Sequence, residues 1–137
     1  MKQAILDTDT ISYFFRGNNK VVTKVDKYLK QYGFINISVI TYYEVLNGLF
    51  YKDAKKQLQK FEEFVRLNNI VPLTLDSSKI LAINYADLRK KGINIEHNDV
   101  LIAGIALTNN MKLITNNISH FNKIKGLEIE NWSIKEL

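Results

Sequence analysis

Short apolar runs alternate along this chain with stretches in which apolar residues recur every three or four positions. Ile5–Leu6, inside Gln3–Asp7, reads as a first strand. Thr8, Asp9 and Thr10 offer N-caps for a short helix through Phe15, ending near Gly17. Val21, Val25, Tyr28, Leu29 and Tyr32 form one face of a helix over about 20–32, with Lys20, Lys24, Lys27 and Lys30 on the wetter side and Gly33 as its stop. Phe34–Ser38 follows as a second strand. Thr41 opens a helical region to about Asn68, which the pattern breaks in two near Tyr51–Asp53. A third strand covers Val71–Leu75. Asp76 and Ser77 then cap a helix with Leu81, Tyr85 and Leu88 on one face, closed by Gly92. Asn98 caps a helix over Asp99–Thr108 that is apolar on nearly every side and hence buried. Lys112–Thr115 and Leu127–Asn131 supply the fourth and fifth strands. Strands alternating with helices predict βαβ units, an α/β fold on a mostly parallel sheet.

A length of 137 residues predicts one domain, 1–137, with no repeat, low-complexity tract or linker to divide it. Hydrophobic residues at 46% and charged residues at 24% exclude a disordered or collagen-like chain. The absence of cysteine excludes disulfides, thiolate metal sites and a cysteine nucleophile, so any metal must take oxygen or imidazole ligands. It also fits a reducing cytoplasm. The apolar run Val100–Leu107 falls far short of the roughly 20 residues of a membrane span. The opening MKQAILDTDT places acids where a signal peptide would stay apolar. The expectation is a soluble cytoplasmic protein with no membrane contact. The net charge of +5 suits a polyanionic partner, although a solvated lysine-rich surface explains it as well.

The acids adjoining strong apolar segments are more informative. Asp7 ends the first strand, Glu44 falls in the first turn after the second, and Asp99 in the first turn of the buried helix. Asn117 follows the fourth strand. In a parallel α/β sheet, strand C-termini and the helix N-termini after them share the edge where ligands bind. Carboxylates gathered there repel and raise one another's pKa, a penalty that a divalent cation removes. Hard oxygen ligands favour Mg2+ or Mn2+, and magnesium keeps waters, one of which can attack a phosphodiester. Each acid also has a structural reading. Asp7 or Asp9 can cap the first helix, Thr41-x-x-Glu44 reads as a capping box, and Asn98–Asp99 as a cap with a first-turn charge. His97 and His120 receive no role, since an activated water needs no separate histidine.

These residues resemble the PIN-domain ribonucleases, specifically the VapC-like toxins of bacterial and archaeal type II toxin–antitoxin pairs. The resemblance is carried by Leu6-Asp7-Thr8-Asp9-Thr10-Ile11-Ser12, by the run from Ile37 through Thr41 and Glu44 to Gly48, by Asn98-Asp99-Val100-Leu101-Ile102-Ala103, and by Leu113-Ile114-Thr115-Asn116-Asn117 with Phe121. It implies a three-layer α/β/α sandwich on a parallel sheet of order 3-2-1-4-5. It implies an Mg2+- or Mn2+-dependent endoribonuclease acting on transfer or ribosomal RNA through a metal-activated water, with Asp7, Glu44 and Asp99 as its catalytic and metal-binding acids. Many relatives carry a fourth acid where this chain has Asn117. An amide oxygen still ligates a metal but adds no charge, which argues against a second tightly held ion, while Asp9, where many relatives have Asn, restores the charge. Thr8, Asp9, Ser38 and Thr115 would orient the carboxylates, and Arg16 would reach substrate phosphate.

The resemblance also implies partners: an RNA substrate, a VapB-like antitoxin and a second copy of the chain. The antitoxin's C-terminal segment would lie in a groove near Phe14, Phe15, Tyr42, Tyr43, Leu49, Phe50 and Tyr51, with a basic side chain entering the acidic site. Lys52, Lys55, Lys56 and Lys60, with Arg89, Lys90 and Lys91, would track RNA phosphates. Two other readings compete. Asp7-Thr8-Asp9 after an apolar strand resembles the nucleophile pair of haloacid-dehalogenase-like phosphatases, but Ile11 replaces the usual Thr or Val and no downstream acidic pair follows. A catalytically inactive RNA- or protein-binding module would explain Asn117.

Overall fold

Strands buried on both faces need apolar residues on both, and Ala4–Leu6 (β1) and Lys112–Ile114 (β4) supply them. A computed structural model describes residues 2–134 and places these two strands side by side, with Ile5 opposite Leu113. Asn36–Ser38 (β2) pairs with β1 on its other side, Asn69–Val71 (β3) with β2, and Ile129–Glu130 (β5) with β4. All pairings are parallel, and the order is β3-β2-β1-β4-β5.

Alternation along the strands sends successive side chains to opposite faces. Ala4, Leu6 and Ile114 enter one core with Ile11, Val21, Val25, Tyr28 and Phe61. These come from helices Thr8–Phe15 (α1), Asn19–Tyr32 (α2) and Lys55–Leu67 (α4). Ile5 and Leu113 enter the other core with Leu88, Ile102, Ile105 and Phe121. These belong to Leu75–Lys90 (α5), His97–Thr108 (α6) and Ile118–Phe121 (α7). Helix Val39–Tyr51 (α3) feeds both, through Val39 and Ile40 on one side and Tyr42, Val45 and Leu46 on the other. The result is the expected three-layer α/β/α arrangement.

Several boundaries differ from the sequence expectation, each for a local reason. The third strand is Asn69–Val71 rather than Val71–Leu75. Pro72 has no N–H for the ladder, so pairing ends before it. Thr74, not Asp76 or Ser77, caps α5, and Ser77 completes a reciprocal capping box with it. Helix α3 begins at Val39, capped by the Ser38 hydroxyl on the Thr41 amide at 3.0 Å. Helix α6 begins at His97 rather than Asp99, with Glu96 at the cap position. The short α7 has no counterpart in the periodic pattern. The break between α3 and α4 falls as anticipated, with Asp53 at φ 51°. Among the described residues, no helix is long and apolar enough to cross a membrane.

Candidate active site

The chain leaves β1 in one direction towards β2 and β3, then returns past β1 to β4. Ligands of open α/β sheets bind at such a switch point, beyond the strand C-termini. Asp7 follows β1 there, Ser38 ends β2 and Thr115 follows β4.

Asp7 is buried, only 6% exposed. Its Oδ1 accepts from the Thr8 amide at 2.8 Å, which makes Asp7 the cap of α1, and its Oδ2 accepts from the Thr115 hydroxyl at 2.8 Å. Capping therefore falls to Asp7, not to Thr8, Asp9 or Thr10. Asp9 turns to the loop after β4. Its Oδ2 accepts from the Asn116 amide at 3.0 Å and lies 3.4 Å from the Thr115 hydroxyl, while its Oδ1 accepts from Thr10 at 3.2 Å.

Glu44 sits a turn and a half into α3, so the proposed capping box with Thr41 does not form. Its Oε1 lies 2.6 Å from the Thr8 hydroxyl and its Oε2 3.4 Å from the Asn98 amide nitrogen. Thr41 lies 3.1 Å from Thr8 and 3.3 Å from Ser38, so a line of hydroxyls runs beneath Glu44 from the end of β2.

Asp99, in the first turn of α6, has its Oδ2 3.3 Å from His120 Nδ1. Asn117 Nδ2 is 2.8 Å from the same ring nitrogen, and the Asn117 amide N–H donates to the Thr115 hydroxyl at 2.9 Å. His120 is the site residue that sequence reasoning passed over. The available signal was its position three residues after Asn117, one helical turn on. His97 lies elsewhere, edge-on to Tyr85. Arg16 stacks over Tyr13 at 5.1 Å, and the Tyr13 hydroxyl lies 3.3 Å from Asn116, so Arg16 stands at the rim.

Burial pushes the Asp7 carboxyl up to about 7, with the charge of Asp9 and then of Asp99 adding to it, against the opposing bonds from Thr115 and Thr8. Burial also raises Asp99, with Glu96 and Glu44 adding to it, against the contact with His120. A buried acid surrounded by further acids is chemically suited to a dication. Among the described residues, no three acidic or imidazole side chains close around one point. A magnesium-type ion needs only one or two carboxylates and keeps its remaining waters, so this donor set fits it. Asp7 and Asp99 are the carboxylates that would hold it, with Glu44 and Asn117 the groups that would meet its waters.

Residues 4–127 match the PIN domain family. Ribonuclease VapC1 of Rickettsia felis is 35% identical over 136 residues, covering 96% of this chain and 98% of its own. The tRNA(fMet)-specific endonuclease VapC of Salmonella typhimurium is 26% identical over 133 residues, covering 96% and 99%. The solved structure of VapBC-1 from nontypeable Haemophilus influenzae is similar with a TM-score of 0.85 at 26% identity, covering 96% and 98%. These likenesses favour neither the phosphatase nor the inactive-module reading. A family match spanning most of its length, together with relatives aligned almost end to end, makes the chain a member of the PIN-domain family, in its VapC-like ribonuclease group.

Proposed function

We propose that this protein is the toxin of a type II toxin–antitoxin pair, a cytoplasmic Mg2+- or Mn2+-dependent endoribonuclease that hydrolyses phosphodiester bonds of transfer RNA. The observation that carries the reading is the buried Asp7 carboxyl at the C-terminal end of β1, whose Oδ2 meets the same Thr115 hydroxyl as Asp9. A bound dication supplies compensating charge and an activated water. The chain's own residues do the rest. Asp7 is fixed through both oxygens, by Thr8 and Thr115. Glu44 is aimed by Thr8 and Asn98, and Asp99 by His120. Arg16 at the rim and the exposed Lys52, Lys55, Lys56 and Lys60 bind backbone phosphates as point charges.

Transfer RNA is supported by the likeness to a tRNA(fMet)-specific endonuclease, and an antitoxin by the likeness to a VapBC assembly. The apolar groove that the antitoxin would use has matching surface on α3, where Tyr43, Phe50 and Tyr51 are exposed.

The test is incubation of purified protein with total tRNA in Mg2+, in Mn2+ and in EDTA, with RNA ends sequenced against Asp7→Asn and Asp99→Asn. Discrete metal-dependent cuts, absent from both variants, are expected. A folded Asp99→Asn protein that cuts normally, or cutting that persists in EDTA, refutes the assignment.

A further inference from the structure

We infer that Asn131 and Ser133, in the segment that follows β5, are positioning residues for the candidate site, acting through the side chain of Asn116 to hold the loop 115–117 against Asp7 and Asp9. The inference rests on the ribonuclease reading for its effect on rate, and deepens it by extending the site's support to the chain beyond β5.

One side of the loop meets the acids. The Thr115 hydroxyl donates to Asp7 Oδ2 at 2.8 Å, and the Asn116 backbone N–H donates to Asp9 Oδ2 at 3.0 Å. The other side is tied to β5 and the residues after it. The Thr115 backbone N–H donates to the Glu130 carbonyl at 3.0 Å, and Asn131 Nδ2 donates to Asn116 Oδ1 at 3.0 Å. The Ser133 hydroxyl lies between two side-chain oxygens, 2.6 Å from Asn131 Oδ1 and 3.1 Å from Asn116 Oδ1.

A backbone donor fixes the amide orientations. The Ser133 backbone N–H donates to the Asn131 side chain at 2.8 Å, so the atom it meets is the oxygen. Asn131 Nδ2 therefore faces Asn116, which must present its own oxygen. That turns Asn116 Nδ2 to the Tyr13 hydroxyl at 3.3 Å. A single assignment satisfies every one of these contacts.

The grip is built on rigid parts. Asp9 and Tyr13 stand one turn apart on α1, so that helix holds Asn116 twice, by backbone and by side chain. Between Asn131 and Ser133, Trp132 is 4% exposed and shares a core with Val21, Val25 and Tyr28. Asn116 itself is exposed, so its polar partners rather than burial fix its place. A site whose supporting contacts are loosened holds its reacting groups less accurately, and rate falls before binding does.

The test uses the full chain, with Asn131→Ala, Asn116→Ala and the double variant, and two readouts. Hydrogen exchange at single amides, followed by NMR on metal-free protein, needs no cleavage. Asn131→Ala should speed exchange of the Asn116 amide by about tenfold and leave the amides of β1 unchanged. Steady-state cleavage of tRNA should show kcat about tenfold lower with KM within about twofold of wild type. The double variant should lose no more than Asn116→Ala alone, because Asn131 acts through Asn116. Emission of Trp132, the one tryptophan of the chain, should be unchanged. Ser133→Ala, which keeps the backbone turn at Asn131, should give the same pattern in smaller measure. Unchanged exchange at Asn116 overturns the inference. So does wild-type kcat in a variant whose Asn116 amide exchanges faster, and so do additive losses in the double variant, which mark two separate structural effects. Either result, with cleavage still dependent on Asp7, leaves the nuclease reading intact. A wild type that cuts no RNA, with Asn116 exchange still raised by Asn131→Ala, removes the nuclease reading and supports the link between segment and loop.

Discussion

The two oxygens of Asp7 serve different ends, one closing the first turn of α1 and the other accepting the Thr115 hydroxyl. Capping, the rival of a chemical role in the sequence reading, occupies only one of the two oxygens and so is compatible with such a role. Asp7→Asn should lower RNA cleavage at least about 100-fold, since losing even an outer partner of a metal site costs 10–100-fold. The same change should stabilise the metal-free protein at pH 8, where the native carboxylate is charged, buried and beside other acids. Chemical unfolding at that pH measures it.

The sign of the pH effect follows from the raised Asp7 pKa. Between about 4 and about 7 the folded protein keeps a proton that the unfolded chain releases. The metal-free wild type should therefore lose stability as pH rises through this window, by on the order of a few kcal/mol, and Asp7→Asn should flatten the curve. Asp7, Glu44 and Asp99 were legible as acids beside apolar segments. The orientation of Glu44 was not, because Thr41-x-x-Glu44 satisfies a local pattern that the Ser38 cap pre-empts. His120 was hidden because its partner Asp99 lies 21 positions away.

At the level of elements, the contact between α5 and α6 depends on Gly104. A Cβ there would meet Leu81 Cβ at 2.7 Å and the Ser77 carbonyl oxygen at 3.2 Å. Gly104→Ala should destabilise the protein by roughly 1–3 kcal/mol despite the better helix propensity of alanine. Urea unfolding tests this, and a neutral result would mean that α5 shifts freely. Strand and helix order were readable from periodicity because buried parallel strands and amphipathic helices repeat differently. Boundaries were less so. At Pro72 and Thr74 the outcome turns on a missing N–H and a reciprocal cap rather than on hydrophobicity. Helix α7, four residues long, is too short to carry a period.

Across the whole molecule, the proposed dication binding would link stability to the acidic edge. Added Mn2+ should raise the unfolding midpoint strongly at pH 8 and little at pH 5, where Asp7 holds its proton. Differential scanning fluorimetry at the two pH values reads this directly, and equal shifts would contradict it. On the outer surface, Tyr43 and Phe50 are two helical turns apart on α3 and both exposed. If this face joins two copies or receives the antitoxin, Phe50→Lys should weaken that association in sedimentation while leaving the free energy of unfolding within about 0.5 kcal/mol of wild type. The strand order itself was carried by the family resemblance rather than by periodicity, which gives strands but not their neighbours.

The site takes Asp7 from the first strand, and Thr115, Asn117 and His120 from beyond the fourth, which lies beside the first. A nascent polypeptide emerging from the ribosome therefore carries an incomplete candidate site until the segment beyond the fourth strand has been made. On the function proposed above, the chain should acquire its activity against RNA only after that segment has emerged.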